Sequence, residues 1–309
     1  MELPRFDLGE LEGAAGAGER ERLRRAARDI GAVLVAGHGV GEATAAALLE
    51  VSRKFFNLPQ AERDAIDMIH SPYFRGYSAV GTERTLGEPD LREQLDVGPE
   101  EAPVALGAGD PPYLRLCGPN LWPPALPELR GIVLEWMRIM RDVSTRVTAS
   151  LVESIGLPRD TLADGFAGQP HERLKIIKYP PAAPSGTQQG VGEHNDSGFL
   201  ALIVQDGSRG LQVYDGRQFV DVIAAHGELI AIAGRALEAA TGGEVVAARH
   251  RVTSPAEGGE RVSVSYFLNP RLDHAGYGFE ALKVVLRSHP ATAQRYFSDL
   301  LGQDGGAPA

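Results

Sequence analysis

The chain has 309 residues, a formal net charge of -10, 43% hydrophobic and 23% charged residues, a balance that suits a globular protein of one large domain or two ordinary ones. The acidic surplus counts against a nucleic-acid partner, whose phosphates call for a basic face, and no apolar run reaches the length of a membrane span. Cys117 is the single cysteine, which excludes an internal disulfide and a cysteine-based zinc site; with an acidic N-terminus lacking an apolar signal core, the expected location is cytoplasmic.

In chain order, Leu23, Ala26, Ala27 and Ile30 fall at helical spacing over residues 19–30. The glycine-bounded run GAVLVAGHGV reads as a strand. Residues 42–56 read as a second amphipathic helix, and Pro59 starts a further helical turn. Residues 71–118 predict irregular structure with short strands, and 100–112 a Gly/Pro/Ala-rich loop. Residues 125–155 carry Leu129, Ile132, Val133, Trp136, Met140, Val143, Val147 and Leu151 at spacings of three and four, which predicts a long helix backing a sheet.

From residue 172 the pattern changes. ERLKIIKYP, FLALIVQD, LQVYD, RQFVDV, ELIAIA, EVVAARHRV and RVSVSYFL are short, β-branched or alternating, which predicts seven strands of a sandwich or jelly roll. Asp215-Gly216 signals a two-residue hairpin turn, and SPAEGGE connects the last two strands. PATAQRYFSDLL reads as a closing helix and GQDGGAPA as a frayed tail.

The stretch GEHNDSGFLALIVQD places His194 and Asp196 two residues apart. If both lie on a strand they share a face and supply two-thirds of a 2-His-1-carboxylate triad, the ligand set of non-haem Fe(II) oxygenases. His250, on a later predicted strand, is the candidate third ligand. Arg261 and Ser263 repeat the i, i+2 spacing; a guanidinium fork and a hydroxyl can clamp one carboxylate, so a dicarboxylate could reach the metal with its other end.

With these residues in place, the chain resembles the Fe(II)/2-oxoglutarate-dependent dioxygenases, and within them the isopenicillin N synthase-like branch that includes deacetoxycephalosporin C synthase. GAVLVAGHGV, FRGYSAVG, PDLREQLDVG, GPNLWP, KYPP, QDGSRGLQVYDGRQFVDV, TGGEVVAARHRV and RVSVSYFLNP carry the likeness over about residues 20–300. The resemblance implies an α+β protein with a double-stranded β-helix (a jelly roll, cupin-like) and flanking helices. It also implies one catalytic domain over 1–309: an N-terminal helical and substrate-side region (1–118), backing helices (119–170), the jelly-roll core with its iron site (171–270), and a C-terminal helix and tail (271–309).

In residue terms, the resemblance implies that His194, Asp196 and His250 bind Fe(II). Arg261, Ser263 and Tyr179 hold the distal carboxylate of 2-oxoglutarate, although Ile177 stands where the plant pattern has Asn. O2 is the co-oxidant and a small organic molecule the substrate, with no nucleic acid or membrane partner. Hydroxylation, desaturation and ring formation are all open, in a setting of bacterial specialised or antibiotic metabolism. Arg75 and Tyr77 are candidates to face substrate, Tyr77 equally for the core; Phe199 and Phe267 are pocket wall or core. Arg235, where many relatives carry an acid, reaches substrate or pairs locally. The other histidines lack ligand spacing: His38 reads as a turn residue, and His70, His171, His226, His274 and His289 as solvated. Rival readings are an oxidase that uses no 2-oxoglutarate, a silent binding protein, and a zinc-binding jelly roll.

Overall fold

The computed structural model describes residues 2–13, 16–85, 87–181, 189–255 and 259–301. Fourteen strands are described there: β1 (Arg5–Asp7), β2 (Ala32–Ala36), β3 (Gly76–Ser78), β4 (Arg84–Thr85), β5 (Glu88–Pro89), β6 (Glu93–Val97), β7 (Arg173–Tyr179), β8 (Gln189–His194), β9 (Leu200–Gln205), β10 (Leu211–Tyr214), β11 (Phe219–Asp221), β12 (Leu229–Ala233), β13 (His250–Thr253) and β14 (Arg261–Leu268). The helices are α1 (Leu8–Glu12), α2 (Ala17–Asp29), α3 (Glu42–Phe56), α4 (Gln60–Asp64), α5 (Glu128–Ser154), α6 (Ala163–Phe166), α7 (Arg235–Ala240), α8 (Tyr277–Ser288), α9 (Pro290–Tyr296) and α10 (Ser298–Leu301).

Eight strands form the major sheet in the order β1-β2-β12-β9-β14-β7-β6-β3, and four form the minor sheet in the order β11-β10-β13-β8. Only β1 and β2 pair in parallel within these two sheets. This is a jelly-roll core flanked by helices. The N-terminal strands β1, β2, β3 and β6 extend the major sheet on both sides, so the N-terminal region is built into the core sheet.

Alternation on β7 and β14 separates two environments. Leu174, Ile176, Val264, Tyr266 and Leu268 face outward and pack with Val133, Trp136 and Met140 of α5. Ile177 and Tyr179 face inward and meet Val191, Leu211, Val213 and Val252 of the minor sheet. Each fully buried aliphatic or aromatic side chain stabilises the fold by roughly 1.5–3 kcal/mol before the entropy cost of ordering. The remaining inner positions are polar apart from Phe267: Arg173, Lys175, Arg261, Ser263 and Ser265. Polar side chains facing inward on both strands destabilise a packed core, so their placement marks a cavity.

Several expectations change. His194 ends β8, and Asp196 lies beyond it in the bend before β9, because the chain leaves the minor sheet there to enter the major one. Residues 244–248 of EVVAARHRV form no strand; only His250–Thr253 pairs. The hairpin at Asp215-Gly216 has a four-residue loop: Tyr214 pairs with Phe219, and the Asp215 carboxylate accepts from the amides of Arg217 and Gln218. Helix α8 is not anticipated by the sequence periodicity described above. The middle of SPAEGGE (256–258) and the tail GQDGGAPA (302–309) lie outside the described residues. No helix among the described residues is long and apolar enough to cross a membrane.

Candidate metal and co-substrate site

The two sheets enclose a cavity of about 480 Å³. At its rim on the minor sheet, β13 pairs with β8 so that His250 stands directly opposite His194. Their ring centroids are 4.2 Å apart. Asp196 Oδ1 lies 3.7 Å from His194 Nε2 and 3.9 Å from His250 Nε2, and the three potential ligand atoms all fall within 4.8 Å of one another. Each ring is oriented from behind: His194 Nδ1 is 2.8 Å from the Gly192 carbonyl and His250 Nδ1 3.1 Å from the Ala248 carbonyl. An N–H donated there leaves each Nε2 as a free lone pair pointing at the gap. Burial, reinforced by His250, holds the His194 pKa down to about 4 despite Asp196, so the ring is neutral at pH 7 and able to ligate.

The Asp196 loop is positioned by α7. The amide of Arg235 donates to the Asp196 carbonyl (2.8 Å), and that of Ala236 to the Gly198 carbonyl (3.0 Å). Gly234 sits against this loop so closely that a Cβ would fall 2.2 Å from the Gly198 carbonyl oxygen. Arg235 therefore contributes through its backbone; its side chain is exposed and outside the cavity.

The donor set fits a divalent transition metal. It is two imidazoles and one carboxylate, and Asp196 Oδ2 is buried without a hydrogen-bond partner, an arrangement that costs free energy unless a cation completes it. Deeper in the same cavity Arg261 is 1% exposed. Its guanidinium bonds only neutral oxygens, Ser263 Oγ at 3.2 Å and Gln205 Oε1 at 3.0 Å, and its Nε has no partner. Tyr179, its register partner on β7, lies under it at 4.8 Å. A buried guanidinium with no acid among the described residues fits an incoming carboxylate.

The other candidates divide. Phe267 lines the cavity. Tyr77 and Phe199 belong to the outer core behind the major sheet; Tyr77 donates to Glu93 at 2.7 Å, and Phe199 meets Phe166 edge-on at 5.1 Å. Arg75 is fully buried against Gly98, behind the cavity wall. Neither Arg75, Tyr77 nor Phe199 reaches the cavity. Conversely, His171 and His289, read as solvated, are buried and line it, as do Glu83, Arg92, Arg173, Lys175 and Tyr277. The alternation Arg173-Lys175-Ile177-Tyr179 on β7 was a visible signal for two of these.

The 2OG-Fe(II) oxygenase superfamily model matches residues 170–270, and the model described as the N-terminal part of the non-haem dioxygenase in morphine synthesis matches residues 3–125. The 2-oxoglutarate-dependent dioxygenase thnC of Trichoderma harzianum is 32% identical over 71% of this chain and 68% of its own length. The dioxygenase frbJ of Dothideomycetidae sp. (strain 11243) is 35% identical over 71% of this chain. A homoarginine-6-hydroxylase of rice is 31% identical over 60% of this chain. The chain spans 60% of the length of the frbJ relative and 57% of the rice one. Among solved structures, the rice dioxygenase for auxin oxidation is 26% identical, with a TM-score of 0.68 over 87% of this chain and 84% of that one. A putative 2OG-Fe(II) oxygenase family protein from Caulobacter crescentus has a TM-score of 0.73 at 21% identity, over 88% and 87% of the two chains, a likeness of fold. This chain belongs to the 2OG-Fe(II) oxygenase superfamily, whose iron and 2-oxoglutarate the two halves of the site fit.

Proposed function

We propose that this protein is an Fe(II)- and 2-oxoglutarate-dependent oxygenase that oxidises a small organic substrate. The observation that carries this reading is one cavity holding both a two-His, one-Asp cluster and a buried guanidinium that lacks an acid. His194, Asp196 and His250 would hold Fe(II); Arg261, Ser263 and Tyr179 would hold the distal carboxylate of 2-oxoglutarate. Fe(II) with 2-oxoglutarate and O2 supplies the oxidising chemistry when bound.

The chain's own residues do the rest. The Gly192 and Ala248 carbonyls keep both imidazoles in one tautomer, so no proton must move before the metal binds. Arg261 would hold one carboxylate of the co-substrate through a charge-assisted pair in a buried setting. Phe267 and the α8 side chains Ala281, Val284 and Val285 wall the substrate side, orienting the reacting bond and excluding water.

The choice among hydroxylation, desaturation and ring formation follows substrate placement. Several relatives are homoarginine-6-hydroxylases of rice and Arabidopsis thaliana, which supports hydroxylation of a polar substrate. The bacterial specialised-metabolism setting rests on the resemblance of TGGEVVAARHRV to ring-expanding synthases, whereas the sequence relatives named above are fungal and plant dioxygenases.

Anaerobic titration with Fe(II) and then 2-oxoglutarate tests the assignment, followed by assay of succinate release with candidate substrates. Fe(II)-dependent 2-oxoglutarate binding and substrate-stimulated succinate release support it. Substrate oxidation without succinate would establish the oxidase rival, and a protein that holds Zn(II) and ignores 2-oxoglutarate would overturn both.

A further inference from the structure

The cavity runs along β7 and β14. Tyr179 and Arg261 pair at one end of these strands, and Arg173 and Phe267 at the other. Six residue steps of strand lie between Arg173 and Tyr179, about 20 Å at ~3.3 Å per residue. The Arg173 end is charged, and its carboxylates are all committed. Glu83 accepts from Gln94 Nε2 (2.9 Å) and from Arg92, and its Oε1 is 3.2 Å from His289 and 3.4 Å from Lys175. Asp96 accepts from Gln94 (2.6 Å) and Arg173 (3.1 Å), with Lys175 at 3.6 Å.

The cations at the same end are under-paired. Arg173 has one acidic partner, Asp96, and shares it with Lys175; its other contact is the Phe74 carbonyl at 3.1 Å, and its Nε makes no hydrogen bond. Directly behind, all three Arg75 nitrogens lack a hydrogen-bond partner, and its acid, Glu101, is 4.0 Å away. His171, beside Arg173 in the cavity wall, is 7% exposed with Nδ1 unpartnered. Tyr277 of α8 completes the wall, its ring 5.9 Å from that of His171.

We propose that this end of the cavity is a subsite for a substrate carboxylate, held by Arg173 with His171 and Tyr277, so that the substrate is a small organic acid. The inference rests on the oxygenase reading of the same cavity. A cationic group placed here would meet Arg173 with Arg75 behind it, and a neutral one would leave Arg173 sharing Asp96 with Lys175 and Arg75 without a hydrogen bond; a carboxylate adds a partner for Arg173. Burial, with Arg173 and Arg75 adding to it, keeps the His171 ring neutral, and burial pushes the Tyr277 phenol up. Both can therefore donate a hydrogen bond to an anion without adding charge. The geometry also sets a length: the acid group sits at the end opposite Arg261, with the oxidisable carbon between it and the iron ligands.

The test is calorimetric binding of a panel of small carboxylic acids, each paired with its methyl ester, to the anaerobic Fe(II) protein loaded with 2-oxoglutarate. The panel includes amino acids, aryl acids and aliphatic acids. Acids should bind and their esters should not. Arg173→Gln should weaken the acids by about 10- to 150-fold, the loss of one charge-assisted contact. Arg173→Lys, which keeps the charge and loses the fork, and Tyr277→Phe, which leaves the ion network intact, should fall between. Thermal melts and a separate 2-oxoglutarate titration of each variant show that the fold and the co-substrate end persist. Esters binding as well as acids, no acid binding, or unchanged acid affinity in both Arg173→Gln and Tyr277→Phe overturns the subsite. Wild-type protein that binds no 2-oxoglutarate overturns the oxygenase reading, and the ester comparison without co-substrate still decides the subsite.

Discussion

His194 and His250 are cross-strand partners: one closes β8, the other opens β13, and their rings lie 4.2 Å apart. Register is therefore what makes them a pair, and a one-residue slip would turn one ring to the opposite face. Asp196 joins them from a bend whose carbonyls are held by the first amides of α7. A strand edge and a helix start thus meet at one metal-sized gap.

Removal of one ligand should be decisive. His250→Ala leaves an imidazole and a carboxylate, and Fe(II) affinity should fall by at least about 100-fold, beyond the 10–100-fold typical of losing a residue that only supports a ligand. Anaerobic metal titration monitors it, and retention of wild-type affinity would remove His250 from the site.

Arg261→Ala should separate the two halves of the cavity. Loss of a buried charge-assisted contact costs about 1.5–3 kcal/mol, so the Kd for 2-oxoglutarate should rise by about 10- to 150-fold, while Fe(II) binding stays within about twofold. Equal co-substrate affinity in the variant would favour the oxidase that uses no 2-oxoglutarate.

Gly234→Ala tests the positioning of Asp196. A Cβ would lie 2.2 Å from the Gly198 carbonyl oxygen and 3.0 Å from that of Asp196, so the loop must move. Overpacking of this kind costs about 1–3 kcal/mol. The Fe(II) Kd should rise together with a lower Tm; unchanged values for both would show that the loop tolerates the methyl group.

Stability should fall on mild acidification. Burial keeps His171 well below its ordinary pKa and holds His289 down to about 4 despite Glu83. Between about pH 6.5 and 4 the unfolded chain binds protons that the folded rings refuse, so unfolding is favoured as pH drops, by up to about 1.4 kcal/mol per pH unit for each ring. Denaturant titrations of the metal-free protein at pH 7.5, 6.0 and 5.0 measure the slope. His171→Gln and His289→Gln should each flatten it; an unchanged slope in both would place the acid sensitivity elsewhere.

Local order was written plainly in the chain. The spacing of Leu129, Val133, Trp136 and Met140 predicts α5, whose apolar stripe packs on the major sheet. The alternation in RVSVSYFL predicts β14 and separates Arg261 and Ser263 from Val262 and Val264. His194, Asp196 and His250 could be named because their residue types and order carry chemistry, and Arg261 and Ser263 because two-residue periodicity puts them on one face. These are short-range properties, readable wherever one element decides which side a residue faces.

Tertiary structure decided the rest. Arg75 and Arg173 are both arginines beside aromatic or apolar neighbours in the sequence, yet one lies behind the cavity wall and the other lines it, because β7 runs through the middle of the sheet whereas Arg75 is locked under Gly98. His171 and His289 carry no ligand spacing, and they become cavity residues where β7 and α8, distant in the chain, both line the cavity. The ion network joining Glu83, Arg92, Asp96, Arg173 and Lys175 comes from segments widely separated in the chain. Its balance of committed acids and under-paired cations depends on distances that no periodicity encodes. The sequence by itself thus determined the ligand types and the faces of the strands, because those follow from local geometry. The shape and charge of the space opposite the iron ligands came from long-range packing.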